Sequence, residues 1–198
     1  MGLFDSVKRI FSGIIGNSGV TNNITQPIVG RGKNETQTFV FQSIPKTLEE
    51  LQKLPEASLD TPFKATALTV LALCAFKENE EECFKMLDFL NGPDAITPYT
   101  RNFIRDRLKG REYVATSFFK GSSKSNDYTP TQPYTIDVMA NPYSFDNENF
   151  ATLWVQSSGA DSPRSIALRK KPSTGEWFFR EIQCIGDIKV PDSANPWA

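Results

Sequence analysis

Residues 63–76 read FKATALTVLALCAF, and this stretch decides the fold. Apolar side chains fall on nearly every side of the helix these residues would form. Such a helix has no wet face and must lie at the centre of the body. Thr61 ahead of Pro62 marks its start, a capping hydroxyl followed by proline at the first helical position. A helix buried all round needs cover on all sides, and the flanking sequence indicates what supplies it.

Helix punctuation recurs on both sides. Thr47 and Glu50 form a capping-box pair ahead of Leu48, Leu51 and Leu54, Asn79 and Glu82 repeat the spacing, and Thr97 precedes Pro98. Gly92 and Gly110 stand where helices stop. The helix from Pro98 to Lys109 is amphipathic, with Phe103, Ile104 and Leu108 inward and Arg101, Arg105 and Lys109 along an outer stripe.

After Gly110 the period shifts toward two and β-formers dominate. Strands are expected at Glu112–Phe119, Tyr134–Asn141, Phe150–Ser157, Ser165–Lys170, Glu176–Ile182 and Ile185–Val190, with hairpin turns at 161–164 and 172–175. A short strand at Thr38–Gln42 is expected to join an edge, and Trp197 to pack back on the body. A helical block before strands joined by short turns predicts an α+β fold: an N-terminal helical block followed by a curved antiparallel β-sheet.

Composition narrows the chemistry. The 198 residues are 39% apolar and 23% charged. No apolar run approaches the length of roughly 20 residues that crosses a bilayer. There is no histidine, which removes the commonest general base and metal ligand. Cys74, Cys83 and Cys184 are widely spaced among apolar neighbours and read as small core residues of a reducing compartment, so neither a metal site nor a cofactor is expected. The 22 basic and 23 acidic residues balance, which argues against nucleic acid as a partner.

Residues 1–16 differ from the rest. Leu3, Phe4, Val7, Ile10, Phe11, Ile14 and Ile15 share one helical face, with Lys8 and Arg9 on the opposite side. The segment is too short to span a membrane and lacks the small-residue cleavage site of a secretory signal. It reads as a helix that docks on an anionic membrane surface or on a protein partner. Residues 17–37, rich in Gly, Asn, Thr and Gln, read as a flexible tether, and 38–198 as a single α+β domain.

Several ordered stretches carry a resemblance: FLNGP at 89–93, DRLKG at 106–110, PYTIDV at 133–138, NPYS at 141–144, SSGADSPR at 157–164, STGEWF at 173–178 and NPWA at 195–198. Over roughly 43–198 the chain resembles an uncharacterised bacterial family, a domain of unknown function. That resemblance implies a cytoplasmic single-domain protein and brings no catalytic residues with it.

Two candidate sites remain in the body. Tyr134, Asn141, Tyr143 and Arg164 fall near expected strand ends and could line a small-molecule pocket on a concave sheet face. Arg101, Arg105 and Lys109 could bind an anion, although the acidic run Glu80–Glu82 is available to balance them. Asp127, Asp137, Asp146 and Asp161 show no spacing that pairs them as acid and base. The reading is therefore a non-catalytic cytoplasmic binding or scaffold module, peripheral at the inner face of the membrane through its leader helix. The alternative is a small-molecule-binding α+β pocket protein, an enzyme using Asp and Tyr. Whether the helix at 63–76 fills the concave face or leaves it open separates the two.

Overall fold

The structure is a computed structural model that describes residues 33–197. The leader at 1–16 and most of the tether lie outside the described residues.

The helix predicted at the centre is there. Thr61 accepts the N–H of Lys64 and Pro62 follows it, starting α2, Pro62–Cys74. Its residues from Ala65 to Leu73 are all buried, including Thr66 and Thr69. The Thr66 hydroxyl donates back to the carbonyl of Pro62 at 2.9 Å. That of Thr69 donates to Ala65 at 2.7 Å. Neither hydroxyl is therefore buried without a partner.

Three further helices carry the expected caps. Thr47 starts α1 (Leu48–Gln52), Asn79 starts α3 (Glu80–Asn91) and Thr97 starts α4 (Pro98–Leu108), each side chain accepting a backbone N–H three residues on. The capping boxes close differently from the pattern. The carboxylate of Glu82 accepts the N–H of Leu48 at 2.9 Å, so α3 supplies a cap to α1. At Gly92, φ is +96° and an added Cβ would meet the Phe178 ring at 3.0 Å, which closes α3 tightly against the sheet.

Among the described residues five strands form one antiparallel sheet in the order β1-β2-β3-β4-β5: Glu35–Phe41, Tyr134–Ala140, Phe150–Val155, Arg164–Lys170 and Trp177–Ile182. All these helices are inserted between β1 and β2. The α+β class is as predicted, with one strand ahead of the helical block. β1 is the expected edge strand, but it starts at Glu35, inside the stretch read as tether. Ile136, Val138, Leu153, Val155, Ile166, Leu168 and Phe179 turn toward α2 and are buried. α2 lies between this face and α3.

Three expectations fail. Residues 112–119 hold a helical turn, α5 (Tyr113–Thr116), in place of a strand. Val114, Ala115, Phe118 and Phe119 are buried there, a helical spacing that packs on α2 and overrides β-propensity. Residues 185–190 form no strand because loop groups take their backbone: Arg164 donates to the Asp187 carbonyl, Tyr128 to that of Lys189, and the Lys189 N–H reaches Gly159. Trp197 does not pack back; it is 92% exposed.

Candidate functional site

The face of the sheet proposed to be concave and open is filled by α2, and the four candidate pocket residues are spread along the sheet. Tyr134 opens β2 and Asn141 follows its last residue. At the rise of an extended strand the two are about 20 Å apart. Tyr134 sits edge-on to Phe119 at 5.9 Å, and its hydroxyl accepts from Gln132 at 3.0 Å. It lines a cavity of about 460 Å³ with Ile44, Cys74, Glu78 and Asn79. Asn141 lines a separate cavity of about 460 Å³ on the opposite face, with Met139, Trp154 and Pro163. Its side chain accepts the N–H of Tyr143, which forms a turn. Tyr143 is left 75% exposed. Arg164 donates to the carbonyl of Asp187 and to Ser162, and so pins two loops.

The basic stripe faces an acidic helix. Arg101 pairs with Asp88 and Arg105 with Glu80, and both guanidinium groups lie 4.9 Å from the centre of the Phe84 ring. Two cations stacked on one ring and paired to α3 clasp α4 to it; of the acidic run Glu80–Glu82 only Glu80 takes part, since Glu81 and Glu82 pair with Lys85. Lys109 makes no ion pair among the described residues.

Burial pushes the thiols of Cys83 and Cys184 up to about 12, and burial also raises that of Cys74. All three stay in the weakly nucleophilic protonated form at neutral pH. Burial also raises Asp137, but hydrogen bonds from Thr38 and Lys120 outweigh it and hold the carboxyl below its usual value. Asp161 pairs with Lys189, and Asp127 accepts from Ser193. These carboxylates are separate structural pins. Among the described residues no three His, Cys, Asp or Glu side chains gather to hold a metal, and no helix is long and apolar enough to cross a membrane.

Two features escaped the sequence reading. Tyr128, at φ +55°, is fully buried and stacks on Tyr113 at 5.4 Å, with Gly159 against its hydroxyl. A Cβ at Gly159 would also come within 2.7 Å of Ile188, so the glycine inside SSGADSPR marks this close approach. A groove of about 660 Å³ runs past Phe145, Asn147, Phe150, Glu176 and Trp177. It draws on three separate loops, so no local motif marks it.

A family model described as a domain of unknown function, DUF6935, matches residues 43–192. The chain belongs to that family. No curated protein and no solved structure matches it. The DUF6935 region begins just after β1 and takes in every helix described here and the other four strands, so β1 and the leader precede it.

Proposed function

We propose that this protein is a non-catalytic binding or scaffold module of the cytoplasm, carried to the anionic inner surface of the membrane by a helix at residues 1–16. The observation behind the reading is the one-sided distribution of seven apolar residues over that segment, opposite Lys8 and Arg9. Residues 17–32 separate that segment from the described body, and a random coil of that length would span about 20 Å.

Magnitudes make the attachment reversible. Seven apolar side chains at about 1.5–3 kcal/mol each are largely offset by ordering about 13 residues at roughly 1–2 kcal/mol each. Lys8 and Arg9 then decide the balance, at about 1 kcal/mol each on an anionic surface. The full chain should co-sediment with anionic vesicles at low salt and less at high salt, and Phe11→Asp should abolish binding. Equal sedimentation of the native and substituted proteins would overturn the reading. Retention by a specific protein in place of vesicles, again dependent on Phe11, would move it to docking in a partner's groove.

A further inference from the structure

The sheet has two edges, and they are built differently. β5 is bulged: Ala167 pairs with Glu181 and Leu168 with Phe179, which leaves Arg180 as the extra residue. Arg180 and Glu181 are exposed there, and the N–H of Trp177 is taken by the Leu59 carbonyl. A bulge, charged side chains and a covering loop are the devices that keep a sheet edge from pairing with another chain.

Among the described residues β1 has none of these. Its seven residues, ETQTFVF, run in unbroken register against Ala140–Tyr134. It contains no proline, and its single charged residue, Glu35, is the first. Its outer edge has no hydrogen-bonded partner among the described residues. Thr36, Thr38 and Val40 stand exposed on the face away from α2, Val40 at 51%.

We propose that β1 is a dimer seam, at which two copies of this chain pair antiparallel about a twofold axis through Thr38 and join their sheets into one. The occupant is a second copy because the strand complements itself. About Thr38, Thr36 of one copy faces Val40 of the other and Thr38 faces Thr38, so the open side of the seam carries only β-branched pairs. On the α2 side Gln37 faces Phe39 and Glu35 faces Phe41. No like charges meet anywhere along this register. Such an interface is isologous and closed, leaving only the protected β5 edges at the two ends.

The seam stands whether or not the leader binds membrane. If it does, the two chains leave β1 at opposite ends of the ladder, about 20 Å apart. Two weak attachments on one particle then act together.

The test places single cysteines in the full chain. Under mild oxidation Thr38→Cys should form a disulfide-linked homodimer. Thr36→Cys or Val40→Cys alone should link no faster than the native protein, whose own cysteines set the background. Mixing the last two should give the cross-linked heterodimer, because each faces the other. Sedimentation should give twice the 22.2 kDa mass of the chain. The double variant Thr36→Lys/Val40→Lys, which sets ammonium groups face to face at two places in the seam, should weaken the dimer about tenfold or more with an unchanged circular dichroism spectrum. A native protein that stays monomeric at high micromolar concentration, or Thr38→Cys linking no faster than Thr36→Cys, overturns the proposal. Neither result bears on vesicle binding, so the two readings fail separately.

Discussion

Residues 63–76 and residues 3–15 are both short and strongly apolar, and they differ in how the apolar residues are spaced along the sequence. In the first they surround the helix, and α2 is enclosed, with Phe63, Leu68 and Leu71 fully buried. In the second the spacing would gather them on one face of a helix, with Lys8 and Arg9 opposite. Angular distribution, more than total hydrophobicity, separates a segment that must be swallowed by a core from one suited to a surface.

The sharpest way to break that contrast is to truncate one residue from each segment. Leu68→Ala should lower the unfolding free energy by about 2–5 kcal/mol, as expected for a cavity at a fully enclosed site. Phe11→Ala should move it by less than about 0.5 kcal/mol. Denaturant titration measures both. A loss at Phe11 comparable with that at Leu68 would mean the leader is part of the core.

Local signals in the sequence were reliable where the chemistry was itself local. Thr47, Thr61, Asn79 and Thr97 each cap a helix as read, because an N-cap needs only the residues that directly follow it. Alternation likewise located β2 to β5, although the β4–β5 bulge was invisible. What failed depended on distant partners. Residues 112–119 have strand-forming side chains but meet α2 as a helical turn, and 185–190 are bound by Arg164, Tyr128 and Gly159, far away in sequence. The candidate pocket failed for the same reason, since strand-end residues converge only if the sheet brings those ends together. Tyr134 and Asn141 lie at opposite ends of one strand. Arg101 and Arg105 lie on α4, whereas Lys109 falls past its last residue, Leu108, in extended backbone; which carboxylates clasp the two arginines is a property of α3 packing on α4.

A smaller effect sharpens the contrast from the side of the body. Burial alone would raise the pKa of Asp137, but its bonds to Thr38 of β1 and to Lys120 outweigh that and lower it on folding. A depressed folded value adds stability that is present above the unfolded pKa and is lost as pH falls through the folded one. In acid titrations followed by thermal unfolding, Asp137→Asn should therefore lose less stability than the native protein below the ordinary carboxylate range, and its vesicle binding at neutral pH should be unchanged. Parallel acid curves would show that these hydrogen bonds do not favour the charged carboxylate.

Hydrogen exchange on the full chain, with and without anionic vesicles, compares both segments in one experiment. The account predicts that vesicles raise protection across residues 1–16 and leave the amides of α2 as they were. Protection of 1–16 that already equals that of α2 in the isolated protein, and does not change when vesicles are added, would contradict it.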